Sequence, residues 1–254
     1  MADVGAVQED LYAIYVQPAI GELIGTGLFV LFANLASTPS PDRPINYSLI
    51  SGLALFIIRG FFADITNGHF NPAVSISQAL VRRLDIASAI AFVVVQLAGG
   101  LLGAVVFRAL MTDMLYMDYM YDIIFISDEV KTITRSQGFF LTIILYSAVC
   151  FSYLYAHGAE ANLRISSCWA TVSYFSISLI GQSGNFAQTL ANAVVYYVSS
   201  GDPTAVGYLY LHISAALIAI VLTSATWWLL SPNRTSRESK SSEPVQNLRK
   251  ATTA

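Results

Sequence analysis

The sequence Gly-His-Phe-Asn-Pro-Ala-Val-Ser at residues 68–75 returns in reduced form as Gly-Asn-Phe-Ala-Gln-Thr at residues 184–189. The two segments share an asparagine followed two residues later by an alanine, as Asn71-Pro72-Ala73 and as Asn185-Phe186-Ala187. Both segments lie between long apolar runs. An irregular polar motif between membrane helices, repeated in the two halves of a chain, is typical of a substrate pathway formed by two half-helices.

The composition places the chain in the membrane. Of its 254 residues 55% are hydrophobic and only 11% are charged, whereas a soluble domain usually has about a quarter charged residues. The net charge of −3 does not favour a nucleic-acid partner. No catalytic triad, phosphate-binding loop or metal-ligand spacing is recognisable, so we expect no enzyme, no cofactor and no metal site.

Six segments are long and apolar enough to cross a bilayer, which takes about 20 residues. They cover roughly residues 18–37, 47–64, 87–110, 137–157, 164–181 and 206–230. The predicted fold class is an all-α membrane protein with six transmembrane helices and two re-entrant half-helices in an inverted repeat. Repeat one spans about 18–110 and repeat two about 137–230, with a long link at 111–135. Residues 1–17 form an N-terminal segment, and the Ser/Thr-rich residues 231–254 form a disordered tail.

The distribution of basic residues predicts the orientation, because they favour the cytoplasmic side. With both termini in the cytoplasm, nine Lys and Arg residues lie inside and four lie outside. The inner set is Arg59, Arg82, Arg83, Arg164, Arg234, Arg237, Lys240, Arg249 and Lys250, and the outer set is Arg43, Arg108, Lys131 and Arg135. The link at 111–135 is then outside.

Each motif has the chemistry of a helix start. Irregular stretches at 64–71 and 181–185 precede short helical patterns at 73–80 and about 187–198. Asparagine is a good N-cap, and proline is favoured at the first helical position. Non-helical backbone persists at membrane depth only where it is buried in protein or lines a water-filled cavity. Two half-helices that enter from opposite faces would bring their positive dipole ends together and repel cations.

The chain resembles the aquaporin, or major intrinsic protein, family over nearly its whole length. The segments that carry the resemblance are Glu22–Thr26, Ser48–Leu53, Asn67–Ser75, Gln96–Ala104 and Ala193–Val195. The resemblance implies a passive channel for water; the filter residues considered next extend this expectation to small neutral solutes such as glycerol, urea or peroxide. It also implies a lipid bilayer as surroundings and a homotetramer with one pore in each subunit. The asparagines Asn71 and Asn185 would orient the permeant at the midplane.

The outer filter departs from the family. Counting from the motifs places Ser51, Ser173, Gln182 and Gln188 at the four filter positions. The family usually has an arginine directly after the second motif, where this chain has Gln188. Losing that charge removes roughly 2 kcal/mol of repulsion on a cation about 7 Å away. The small polar set predicts a wider, more hydrophilic mouth, although Gln182 or Gln188 could instead fold across it.

Three residues are predicted to support the loops. Glu22 lies inside an apolar span, where a carboxylate is a candidate functional group, and we expect it to bond loop backbone. His69 is expected to brace the first loop, with a pore-facing pH sensor as the alternative. Thr142 stands where the family usually has a second buried glutamate. Phe186, in place of proline, could pack on Pro72 or project into the pathway.

Two other functions stay open. A channel without the filter arginine could leak ions, and a chain with Phe186 in its second motif could be a non-conducting membrane scaffold or adhesion protein. The plasma membrane is the favoured location and an intracellular membrane is the alternative.

Overall fold

The computed structural model describes residues 12–37, 42–124, 133–181 and 184–231. Within those ranges the secondary structure is helical, without a β-strand. The long helices are α1 (Gln17–Leu35, extended by a π-helical turn at Tyr12–Val16), α2 (Arg43–Phe61), α4 (Ile86–Leu110), α6 (Arg135–Tyr155), α7 (Ala161–Leu179) and α10 (Leu209–Leu230). The shorter ones are α3 (Pro72–Leu80), α5 (Asp113–Ile124), α8 (Phe186–Ser200) and α9 (Thr204–Gly207). Most of the predicted N-terminal segment and tail lies outside the described residues.

The six predicted spans correspond to six long helices, which confirms the fold class. Five of these helices are long and apolar enough to cross a membrane by composition. The exception among the described helices is α7, whose 19 residues include five serines. Three of them, Ser166, Ser173 and Ser176, are buried, so part of the polar surface of α7 faces protein rather than lipid.

The two short helices begin where the motifs predict. Asn71 and Asn185 are the N-caps of α3 and α8, and each has an extended backbone at the cap. Each side-chain oxygen accepts a hydrogen bond from the backbone N–H two residues later, at 3.1 Å from Ala73 and at 3.0 Å from Ala187. In each half-helix the asparagine thereby satisfies one otherwise unpaired backbone N–H of the first turn, as an N-cap does.

The predicted link at 111–135 is not a plain loop. It contains α5, a 12-residue helix that the sequence interpretation missed. Tyr116 and Met120, one turn apart, are buried in the core, and the Tyr116 ring lies 6.0 Å from that of Phe107 in α4. Arg108 lies over the same Tyr116 ring and pairs with Asp113 at the start of α5. The helix forms because its tyrosine and methionine side chains are buried against the bundle, which supplies most helical stability in proteins.

Small residues let the central helices approach closely, as they do in other membrane bundles. A Cβ built on Gly99 of α4 would lie 2.2 Å from the Leu23 carbonyl oxygen of α1. The same atom on Gly103 would lie 2.3 Å from the Gly27 carbonyl oxygen. On its other side α4 meets the second half-helix, where a Cβ on Gly100 would be 2.9 Å from the Ala187 carbonyl oxygen. The first repeat thereby holds the second motif in place.

Candidate functional site

The two motif asparagines are joined crosswise. The side-chain nitrogen of Asn71 donates to the Gly184 carbonyl oxygen at 2.8 Å. The side-chain nitrogen of Asn185 donates to the Phe70 carbonyl oxygen, also at 2.8 Å. Each acceptor directly precedes the other motif's asparagine, so the N-termini of the half-helices α3 and α8 meet inside the protein. Local sequence alone does not specify this junction, because its partners are 113 and 115 residues apart.

Phe70 has a backbone conformation that fits this junction. Its φ is +48°, a left-handed value that costs an L-residue roughly 1–2 kcal/mol. Asn185 binds its carbonyl oxygen, and Glu22 accepts from its N–H at 2.7 Å. Its ring is buried against α1, where a Cβ on Gly25 would lie only 2.1 Å from a ring atom. The surrounding structure therefore imposes the strained conformation from three directions.

Glu22 is fully buried in α1, and its carboxylate accepts hydrogen bonds from four donors. One oxygen accepts from the Thr66 hydroxyl at 2.6 Å and from the His69 N–H at 2.9 Å. The other accepts from the Phe70 N–H and from the Gln96 side chain, at 2.7 and 2.8 Å. These contacts satisfy buried backbone donors of the irregular first loop, which would otherwise be orphaned at a cost. They agree with the supporting role predicted for Glu22.

His69 is held within the same network. Its Nδ1 lies 3.1 Å from the Ser75 hydroxyl, which also accepts from Gln96 at 2.8 Å. The imidazole packs edge-on against the rings of Phe92 and Tyr153, with centroids 5.8 and 6.0 Å away. His69 also lines a polar cavity described below.

Thr142 has no equivalent arrangement in the second repeat. Its hydroxyl donates to the Gly138 carbonyl oxygen at 2.8 Å, one turn back in its own helix α6. A threonine side chain is too short to bridge to a loop as Glu22 does. In the described part of the second loop, the Gly181 carbonyl oxygen accepts from the Ser176 hydroxyl, and the Gly184 carbonyl oxygen accepts from Asn71. The hydrogen bond seen for Thr142 thus lies within α6, and the loop support expected of it stays a prediction.

Two of the predicted filter residues meet directly. The hydroxyl oxygens of Ser51 in α2 and Ser173 in α7 are 3.4 Å apart, and both side chains are buried. The indole N–H of Trp169 donates to Ser51 at 3.2 Å, and the ring of Trp169 packs edge-on against Phe29. Trp169 fixes the position of these hydroxyls, a role that the sequence interpretation did not assign.

Gln188 is tied into a buried amide cluster. Its nitrogen lies within hydrogen-bonding distance of Tyr47 and Asn34, at 3.3 and 3.4 Å. Asn34 and Asn192 exchange hydrogen bonds in both directions, at 2.7 and 2.9 Å. This arrangement anchors Gln188 to α1 and α2, against the expectation that it could fold across the opening. Gln182 lies outside the described residues. Asn34 and Tyr47 were missed, although Asn34 is a polar residue inside the first predicted span.

Phe186 points away from the crossed asparagines. With Pro72, Ile213 and Leu217 it lines an apolar cavity of about 120 Å³ between the half-helices and α10. It also packs against a buried cluster that contains Ala73. These surroundings match the first of the two predicted positions for Phe186, packing beside Pro72, and not projection into the pathway.

A polar cavity of about 290 Å³ opens next to the first loop. Six residues with polar side chains line it, namely Arg59, Asn67, His69, Gln78, Arg83 and Tyr153. His69 stands two residues before Asn71, so this cavity, called the vestibule below, lies beside the loop that leads to the first half-helix. Arg59 was used above only to infer orientation, although an ionisable residue within a predicted span is itself a signal.

The comparisons with known proteins agree with this geometry. The model of the family described as Major intrinsic protein matches residues 12–223. Aquaporin-8 of Notomys alexis is 32% identical over 150 residues, which cover 58% of each chain. The glycerol uptake facilitator protein-like 6 of Lactiplantibacillus plantarum is 22% identical over 81% of this chain and 94% of its own.

Among solved structures, the aquaglyceroporin from Plasmodium falciparum superposes with a TM-score of 0.65 at 20% identity, over 84% of this chain and 95% of its own. At that identity the likeness concerns the fold. The sequence match to Aquaporin-8 spans 58% of that relative's length, whereas the family match extends over most of the chain. The half-helices, the apolar helices and the family match together establish that this chain is a multi-pass membrane protein of the major intrinsic protein family.

Proposed function

We propose that this protein is a passive channel for water and small neutral solutes, with a pore within each subunit. The crossed pair of Asn71 and Asn185 carries the proposal. A primary amide has two N–H donors, and in each asparagine one donates to the carbonyl oxygen that precedes the other motif. The second N–H is left to donate to a permeating oxygen, while both side-chain oxygens are occupied in capping. A permeant is therefore met by donors at the midplane.

The same geometry disfavours cations at the midplane. Each half-helix presents its N-terminus, and a helix N-terminus carries roughly half a positive charge. The proposed permeants are consequently neutral molecules that can accept a hydrogen bond. The ion-leaking alternative depends on the filter alone and is weakened by this dipole pair.

The proposed mouth is formed by Ser51, Ser173, Gln182 and Gln188. Three of these lie in the described residues, and all three are small or neutral polar side chains held by hydrogen bonds. Hydroxyl and amide groups can bond to polyols as well as to water, which supports glycerol, urea and peroxide as additional permeants. The similarity to a glycerol uptake facilitator protein supports the same scope.

The scaffold alternative is less well supported than the channel. It rested on Phe186 obstructing the pathway, and that ring packs laterally with Pro72 and α10. We also propose that the chain forms a homotetramer with both termini in the cytoplasm, in the plasma membrane by preference. An apolar groove of about 250 Å³ between α2 and α7, with Leu49, Leu53 and Phe56 on its wall, is a surface that a second copy could cover.

Osmotic swelling of vesicles that contain the purified protein tests the proposal. Water, glycerol and urea gradients are applied to one preparation, and each rate is compared with that of protein-free vesicles. We expect faster water flux, with measurable glycerol flux, in wild type. Gln188→Arg should lower glycerol flux about tenfold relative to water flux, because the longer, charged side chain narrows the mouth. A tenfold change corresponds to a barrier for glycerol that is about 1.4 kcal/mol higher. Water flux at the level of protein-free vesicles refutes the channel, and an unchanged solute ratio in the variant refutes the filter position of Gln188.

A further inference from the structure

Arg59 places a positive charge in the wall of the vestibule. It belongs to the last turn of α2, and it lines the cavity together with Arg83 and His69. The guanidinium donates to the Asn67 carbonyl oxygen at 3.0 Å and to the Gly68 carbonyl oxygen. These two carbonyl groups belong to the loop that leads to Asn71. The charge is thus attached to the wall of the conduction pathway itself.

The guanidinium is held rigidly by neutral groups. Its Nε donates to the side-chain oxygen of Asn162 at 3.1 Å, and its central carbon lies 4.8 Å from the centre of the Tyr153 ring. The Tyr153 hydroxyl donates to the same loop, to the carbonyl oxygens of Gly68 and His69 at 3.1 and 3.2 Å. A side chain fixed at three points keeps its charge in one place without reorganisation.

The charge of Arg59 is not neutralised by an acidic partner among the described residues. Other arginines are paired, as in the ion pairs Arg108–Asp113 and Arg164–Glu160. Glu22 contacts the same loop as Arg59 but does not bind Arg59 itself. The Glu22 carboxylate accepts from N–H groups of the loop, whereas Arg59 donates to carbonyl oxygens of the loop. Glu22 is also fully buried. Among the described residues that line the vestibule are two arginines and no aspartate or glutamate.

The described filter residues at the opposite mouth carry no charge. Gln188, Ser51 and Ser173 are there, and their hydrogen-bonding partners Tyr47, Asn34 and Trp169 are neutral as well. The arginine that directly contacts a motif loop in the described residues, Arg59, therefore lies at the vestibule end.

We propose that Arg59 is the residue that excludes cations from this pathway, and that the vestibule replaces the outer mouth as the charge filter. This inference rests on the proposed channel function. A single fixed charge about 7 Å from a cation, at an effective dielectric constant near 20, lowers the local cation concentration roughly fiftyfold. Water in the vestibule screens the charge and reduces that factor, so we expect the cation concentration to be lowered about tenfold. Neutral solutes do not experience this barrier.

The test measures water and cation flux in the same vesicles. Arg59→Gln removes the charge and keeps a hydrogen-bonding side chain, and Arg59→Lys keeps the charge. Arg164→Gln is the matched control, since Arg164 is an exposed arginine of α7 that pairs with Glu160 and is absent from the vestibule lining. Osmotic swelling reports water, and a pH-sensitive dye with an imposed potassium gradient reports proton and potassium entry.

We expect Arg59→Gln to raise cation flux about tenfold relative to water flux, and Arg59→Lys and Arg164→Gln to stay at the wild-type ratio. An unchanged ratio in Arg59→Gln vesicles that conduct water overturns the proposal. If Arg59→Gln vesicles conduct no water, Arg59→Met takes its place as the neutral variant. A tenfold rise in the ratio is expected there as well, and an unchanged ratio overturns the proposal. Absence of water flux in wild-type vesicles is a separate result, which refutes the channel itself.

Discussion

Glu22→Gln is the substitution for which the structure gives the sharpest expectation. The carboxylate faces four donors, two on each oxygen. Glutamine offers one acceptor oxygen, and its NH₂ group must face the other pair. The Thr66 hydroxyl or the Gln96 amide can turn to accept from that NH₂ group. A backbone N–H cannot turn, so either His69 or Phe70 loses its acceptor in each orientation.

The expected magnitude follows from that count. One buried donor without a partner costs about 1–3 kcal/mol. If the orphan is the N–H of Phe70, the strained left-handed turn also loses one of its restraints. We expect the protein to be destabilised by about 1–3 kcal/mol, together with a lower water flux. A cost of about 1–3 kcal/mol corresponds to a factor of roughly 5 to 150 in an equilibrium constant. The loop that carries Asn71 would therefore adopt displaced conformations more often by that factor.

Thr26→Val is the matched control. Thr26 lies one turn after Glu22 in α1, is fully buried, and its hydroxyl makes no hydrogen bond with the described residues. Removing that hydroxyl should change stability by less than about 1 kcal/mol. Unfolding in mixed micelles gives the stability of each variant, and vesicle swelling gives its flux. Glu22→Gln protein as stable and as conductive as Thr26→Val protein would contradict the reasoning.

Two further predictions concern backbone contacts and titration. Gly25→Ala should abolish water flux, because the added Cβ would lie 2.1 Å from the Phe70 ring. Gly60→Ala is the control, since the space around its Cβ is open, and it should conduct as wild type does. Vesicle swelling compares the two variants, and equal rates would contradict the prediction. Hydrogen bonds from Ser88 hold the pKa of the Asp85 carboxyl below its usual 3.8. A lowered folded pKa contributes stability above the unfolded pKa, and that stability is lost as the pH falls through the folded value. Thermal unfolding from about pH 6 down to about pH 3 should therefore show a larger loss of stability in wild type than in Asp85→Asn, and parallel curves would exclude the effect.

The helices were predictable because their signals are local. The predicted half-helix at 73–80 is Pro72–Leu80 in the structure, and the one at about 187–198 is Phe186–Ser200. Caps, proline position and apolar runs act within a few residues, so they can be read without knowing the fold. The helix α5 was missed because its burial depends on α4 and α8, which its own sequence does not reveal.

The candidate site was predicted in part. The motif asparagines, Glu22 and Ser51 with Ser173 were chosen from spacing and from the resemblance, and the structure brings each into the interior network. Thr142 was expected to support a loop and bonds within its own helix instead. Arg59 was overlooked as a site residue because counting basic residues treats every arginine as a marker of orientation. Its contacts with the first loop appear only after α2 and that loop are folded together.

Composition and periodicity were sufficient to place this chain in a membrane, to divide it into six spans and to locate two helix starts between them. Those properties depend on the affinity of each segment for lipid and on hydrogen bonds between near neighbours. The direction of the Phe186 ring, the anchoring of Gln188 by residues 141 and 154 positions away, and the site of the unneutralised charge required the folded chain. They arise from contacts between segments far apart in sequence, and a linear pattern carries no information on which of those contacts forms.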